Sequence, residues 1–235
     1  MTRGLDLAAL RTAFALHGRL VIPGFLASES ASAVAAAMAA APWTRSILVN
    51  GKPYDIGLET LAQFPPDRAQ QLTESVADAA RKGFQYQYDT WRLSDLMERD
   101  EAPVGPLEPL ADLYRLLNGP AFLDVIRDIS GDPRAAFVDA QATRYRAGDF
   151  LTEHDDDVEG KNRLLAYVLG MSPVWRPEWG GLLLFHGPEP WRAEGVVPGF
   201  NQLSLFRVPQ RHSVSEVAHY VQANRLSVTG WIRYR

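Results

Sequence analysis

The segment FLTEHDDDVEG places His154, Asp155 and Asp156 in a row at the end of a predicted strand. Side chains two apart on a strand project from the same face, so His154 and Asp156 would converge on one point while Asp155 turns away. That spacing suits a chelate. The candidate for a third ligand is His212, fifty-eight residues further on in RVPQRHSVSEV. Two histidines and one carboxylate occupy one face of an octahedral iron and leave three positions for other ligands. A His-x-Asp pair alone also fits a solvated turn, and the acidic run from Glu153 to Asp157 fits an exposed loop or a calcium-binding turn.

Thirteen residues after His212, the run RLSVTGWIRY alternates Arg225, Ser227, Thr229 and Trp231 with Leu226, Val228 and Ile232. An arginine facing a barrel interior would be costly without an anionic partner. A dicarboxylate ligand, gripped by two parallel N–H bonds, supplies one. The remaining histidines, His17, His186 and His219, read as surface or strand-end residues, and the tryptophans as packing.

Positioning such residues requires strands, and the second half of the chain provides them. From about residue 134, short alternating runs predict strands near 137–146, 150–156, 163–170, 181–186, 202–208, 212–217 and 225–233, with turns at Gly148-Asp149, Gly180-Gly181 and Pro198-Gly199. Many short strands at this spacing predict a sandwich or a jelly-roll barrel. GRLVIPGF and SILVNG add strands from the first half, which otherwise reads as helices. The N-terminal run MTRGLDLAALRTAFALHG, with Arg3, Asp6 and Arg11, predicts an amphipathic helix and not a signal peptide. Ser28 is the expected cap of an alanine-rich helix stopped at Pro42, and Asp67 with Gln70 the expected capping box of another reaching Gly83. Leucine stripes predict two more, ending at Asn118-Gly119 and at Gly131. The expectation is an α+β chain with a mainly β core. It forms a single domain over 1–235, with helical support and a few strands over 1–135 and the catalytic β-core over 136–235.

Composition narrows the chemistry. The chain has no cysteine, so a transition metal must be held by histidine and carboxylate. A net charge of −4 argues against nucleic acid as the main partner. No apolar run is long enough to span a bilayer, and a cytoplasmic location is the default expectation.

On these residues the sequence resembles the iron(II)- and 2-oxoglutarate-dependent oxygenases with a double-stranded β-helix core, closest to the prolyl hydroxylase branch that acts on a ribosomal protein. The likeness runs from His154-Asp155-Asp156 to Glu159-Gly160, through Arg163, Pro173-Val174-Trp175 and Gly180-Gly181, to HSVSEV and RLSVTGW, covering about residues 137–233. A softer match continues upstream through GRLVIPGFL and FQYQYDTWRLSD. The resemblance implies His154, Asp156 and His212 as iron ligands. It also implies Arg225 as the salt-bridge partner of the distal 2-oxoglutarate carboxylate, Ser227 as its hydrogen-bonding neighbour, and Tyr145 in the co-substrate pocket. Relatives carry a tyrosine where this chain has Val168 in Val168-Leu169-Gly170, and Tyr167 is the expected replacement. Iron(II), 2-oxoglutarate, O2 and ascorbate as an accessory reductant are implied. The implied substrate is a prolyl residue of a protein or peptide such as a ribosomal protein, with a free amino acid or small metabolite as the alternative. Loops over Ile47–Tyr54 and Gln85–Trp91 are expected at the barrel mouth, with Tyr86, Tyr88 and Trp91 lining a groove. A zinc hydrolase and a non-catalytic cupin-like metal-binding protein are the rival readings.

Overall fold

The structure, a computed structural model, describes residues 4–235; Arg3 of the N-terminal amphipathic run lies outside the described residues. Seven α-helices are described: α1 (Leu7–His17), α2 (Ser28–Ala39), α3 (Leu58–Ala62), α4 (Pro66–Ala80), α5 (Leu93–Glu98), α6 (Glu108–Leu117) and α7 (Pro120–Ser130). Asp6 caps α1 by accepting from the Ala9 N–H, while α1 and α7 end on left-handed Gly18 and Gly131. Two expected caps are not formed. Ser28 lies inside α2, because the helix already begins on the Ala27 carbonyl, which accepts from Ala31 N. Pro66 takes the first position of α4, where its missing N–H loses nothing, so Asp67 falls in the first turn and Gln70 bonds forward to Glu74.

The strands are β1 (Arg19–Pro23), β2 (Thr44–Val49), β3 (Lys52–Gly57), β4 (Tyr86–Arg92), β5 (Phe137–Val138), β6 (Gln141–Tyr145), β7 (Phe150–His154), β8 (Arg163–Gly170), β9 (Leu183–His186), β10 (Ala193–Val196), β11 (Gln202–Arg207), β12 (His212–Val214) and β13 (Arg225–Arg233). They pair antiparallel in the order β1-β11-β8-β13-β6-β4-β7-β12-β9-β10, with β2 and β3 branching from β4 and β5 capping β13. The order curls back on itself. Arg19 on β1 bridges to Glu194 on β10 at 2.5 Å, and Phe185 of β9 meets Phe206 of β11 edge to face.

Two regions expected as mouth loops are instead strands. Ile47–Tyr54 is the β2–β3 hairpin, turning at Asn50 and Gly51, both with positive φ. Gln85–Trp91 is largely β4, which enters the sheet between β6 and β7. Alternation on β4 turns Tyr86 and Tyr88 into the barrel and Trp91 toward the helices, where it packs on the main core. Trp91 therefore does not line the groove.

The helices cover one side of the sheet. Leu110, Leu117, Phe122 and Ile126 pack against Leu165, Tyr167 and Leu169 of β8 and Val228 and Ile232 of β13. The opposite residues of the same strands, Ala166, Val168 and Trp231, belong to a second cluster inside the barrel with Leu183, Phe185 and Phe206. Gly230 lets β13 pass the Asp139 carbonyl, since a Cβ there would overlap that oxygen and press on the Tyr167 ring.

Candidate active site

The barrel interior opens as a cavity of about 520 Å³, lined among others by Tyr86, Tyr88, Tyr145, His154, Asp156 and Arg225. This volume suits a small organic co-substrate together with part of a larger ligand. β7 brings His154 there through an irregularity. Its register against β12 pairs His212 with His154 and Val214 with Leu151, so β7 carries one extra residue. A bulge of this kind shifts the phase of the alternation, and Leu151 and His154, three apart, both face the cavity.

Asp156 also reaches the site by a route that strand alternation does not describe. β7 ends at His154, and Asp156 follows in the left-handed region with φ 67°. The turn, not the pleat, folds its carboxylate back over His154. This corrects the two-apart geometry expected from the sequence while leaving the pair together. Oδ1 of Asp156 lies 3.6 Å from His154 Nε2 and Oδ2 lies 3.5 Å from His212 Nε2. One ligand atom from each of the three residues falls within 4.8 Å of the other two.

Each imidazole is oriented from behind. His154 Nδ1 sits 3.0 Å from the Thr152 carbonyl and His212 Nδ1 2.6 Å from the Gln210 carbonyl. With Nδ1–H donating in both rings, both Nε2 lone pairs face Asp156. Burial, reinforced by the nearby His154, pushes the His212 pKa down to about 4. His212 is thus held as the neutral base that a metal requires. Three donors of this type suit a first-row divalent ion such as iron(II), and the chain has no thiolate to offer a softer one.

Arg225 lies across the cavity on β13, only 2% exposed. No carboxylate among the described residues pairs with it. Its Nε has no partner, one Nη reaches Ser227 Oγ at 3.5 Å, and its guanidinium carbon stands 4.8 Å from the centre of the Tyr145 ring. A buried, unpaired guanidinium in a cavity calls for an anion. Ser227 shares a 2.8 Å hydrogen bond with Thr143 on the neighbouring β6. Tyr145, the register partner of Arg225, stacks on Tyr88, and burial holds its phenol neutral by raising its pKa.

Tyr167 is placed differently. Its hydroxyl donates to the Asp139 carbonyl at 2.9 Å, and its ring packs among Leu165, Leu169 and the helices. Because β8 alternates, the residue facing Arg225 from this strand is Val168, while Tyr167 touches the cavity wall and its hydroxyl is engaged by the Asp139 carbonyl.

Sequence reasoning passed over Thr143, which the alternation of Tyr145 with Thr143 on β6 would have revealed. It also read Trp231 as packing, whereas this residue lines the cavity beneath Arg163. His186 and His219 stay outside the cluster, His186 bonded to Ser213 and His219 exposed beside Glu216.

Residues 140–233 match the family model of the 2OG-Fe(II) oxygenase superfamily. Among curated proteins, the prolyl 3-hydroxylase OGFOD1 of Mus musculus is 32% identical over 131 residues, covering 53% of this chain and 24% of the mouse protein. The prolyl 3-hydroxylase sudestada1 of Drosophila melanogaster is 32% identical over 108 residues, covering 40% of this chain and 20% of the fly protein. The matched segment thus spans about a quarter or less of these relatives. Among solved structures, a Pseudomonas putida prolyl-4-hydroxylase superposes with a TM-score of 0.63 at 19% identity, covering 97% of this chain and 99% of that one. A Trichoplax adhaerens prolyl hydroxylase in complex with a peptide fragment of a hypoxia-inducible factor has a TM-score of 0.63 at 13% identity, with 97% and 88% covered. The shared fold is the double-stranded β-helix, and residues 140–233 of this chain are similar to the 2OG-Fe(II) oxygenase superfamily.

Proposed function

We propose that this chain is an iron(II)- and 2-oxoglutarate-dependent dioxygenase that hydroxylates an unactivated C–H bond of a prolyl residue in a protein or peptide. The observation that carries the reading is the convergence of His154, Asp156 and His212 in the same cavity as a buried arginine that lacks an anion. Iron(II) with 2-oxoglutarate and O2 supplies the oxidation: one oxygen atom enters the substrate C–H bond as hydroxyl, the other enters succinate, and CO2 is released. The protein positions and shields. His154, Asp156 and His212 hold the metal, and Arg225 pairs with the distal carboxylate of the co-substrate. Ser227 and Thr143 complete that end of the pocket, and Tyr145 closes one side beneath Tyr88.

The prolyl substrate is supported by the names of the relatives and by the form of the mouth. Phe84 packs near the His154 ring, Tyr86 and Tyr88 continue the aromatic wall, and Asp155 and Asp157 line the rim. Aromatic faces suit a pyrrolidine ring, and acidic rim residues favour a basic peptide such as a ribosomal protein segment. Ascorbate as an accessory reductant and action in the cytoplasm belong to the same proposal. No helix among the described residues is long and apolar enough to cross a membrane.

The test is incubation with iron(II), ascorbate, 2-oxoglutarate and proline-containing basic peptides, reading succinate and a gain of one oxygen on proline. Succinate formation coupled only to free proline or another small metabolite would replace the peptide by a small substrate. Metal binding without any 2-oxoglutarate turnover would favour a non-catalytic binding protein.

A further inference from the structure

Asp156 pays for its place at the metal cluster with backbone strain. A non-glycine residue at φ 67° costs on the order of 1 kcal/mol or more and persists only where its surroundings over-determine it. The turn is pinned on both flanks. Gln210 N donates to the Asp155 carbonyl at 3.3 Å, and Arg163 Nη1 donates to the Asp156 carbonyl at 3.0 Å. The same Nη1 stands 3.6 Å from Asp156 Oδ1. One guanidinium nitrogen therefore touches both ends of this residue, backbone and carboxylate.

Arg163 is itself held. Its guanidinium carbon lies 3.5 Å from the centre of the Trp231 ring, and its Nε is buried without a partner. A guanidinium placed only to be solvated would keep that N–H wet, because a buried unpartnered donor costs about 1–3 kcal/mol. Trp231 comes from β13, six residues after Arg225, so the strand that carries the co-substrate anchor also carries the platform under Arg163.

We propose that Arg163 is a positioning residue, held by Trp231, that locks the strained Asp156 turn and so fixes the Asp156 carboxylate against His154 and His212. The inference rests on the metal reading of the site. It assigns to Arg163 no contact with the metal or with the reacting atoms.

The test is cobalt(II) binding to the full chain, read by calorimetry and by the visible absorption of the bound ion, with the melting temperature of each metal-free variant alongside. Arg163→Met keeps the stem and loses the donors. It should weaken cobalt binding about 10-fold or more, the range for residues that orient a ligand, and alter the cobalt spectrum while the metal-free melting temperature stays close to that of the wild type. Arg163→Lys, which can still donate to the Asp156 carbonyl, should recover part of the loss. Trp231→Leu should weaken binding in the same direction, which keeps the inference open to test should Arg163→Met fold poorly. Wild-type affinity and spectrum in Arg163→Met, or equal loss in the methionine and lysine variants, would overturn the role of Arg163 while leaving the metal reading in place. Absence of cobalt binding by the wild type would overturn both.

Discussion

His212 and His154 are register partners across β12 and β7, and their ring centroids lie 4.1 Å apart. Each ring turns Nδ1 to a carbonyl two residues before it in the chain, Gln210 and Thr152, so two strands present matching Nε2 atoms to one carboxylate. The protein alone thus brings both Nε2 atoms and the Asp156 carboxylate to one place, as a metal would require.

Replacing His154, Asp156 or His212 by alanine is expected to weaken iron(II) or cobalt(II) binding beyond the roughly 10–100-fold that outer-shell changes cost. Secondary structure should persist, because the helical layer packs on the other face of β8 and β13. Anaerobic calorimetry measures the first and circular dichroism the second. Wild-type affinity in any two of the three variants would refute the triad.

The metal-free protein should lose stability in mild acid through His212. Its folded pKa is lowered from 6.5 to about 4, so between those values the unfolded chain binds the extra proton and stability falls as pH falls. Below about 4 both states are protonated and this contribution levels off. His212→Gln removes the titration, so the wild-type-minus-variant difference in melting temperature should shrink from pH 7 to pH 4. A constant difference across that range would show that His212 is not held neutral.

Arg225→Met should abolish 2-oxoglutarate binding without loss of metal. The wild type, loaded with manganese(II), should gain about 2.7 kcal/mol when 2-oxoglutarate stands at 100 times its dissociation constant, and the variant should gain almost nothing. Removing a buried unpaired cation should leave the metal-free melting temperature unchanged or higher. A preserved 2-oxoglutarate shift in thermal melts of the variant would count against the anchor.

Gly230→Ala is expected to destabilise the fold by at least about 1–3 kcal/mol, because the new methyl overlaps the Asp139 backbone oxygen, which cannot retreat without breaking the bond from Tyr167. Urea denaturation of the metal-free protein measures it. An unchanged midpoint would mean that β13 and the Asp139 segment separate easily.

Much of this protein was written in the sequence. Residue types at fixed spacing, the absence of cysteine, and the alternation of Arg225 and Ser227 with Val228 and Ile232 singled out candidate metal donors, a candidate anion anchor and a mainly β core, because side-chain period on a strand is a local property; the roles proposed for those residues came from the family resemblance. The N-terminal leucine and alanine helices were legible for the same reason. What depends on long-range pairing was not. β4 has aromatic and polar residues on both faces, and only its partners β6 and β7 make it a central strand instead of a mouth loop. The bulge in β7 and the left-handed turn at Asp156 bring His154 and Asp156 together by a geometry that alternation misdescribes, since both are set by the register against β12 and by Arg163 reaching back from β8. Tyr167 lies on β8 with its ring turned to the helices. Its side follows from which face of β8 the helices cover, and tertiary packing alone decides that.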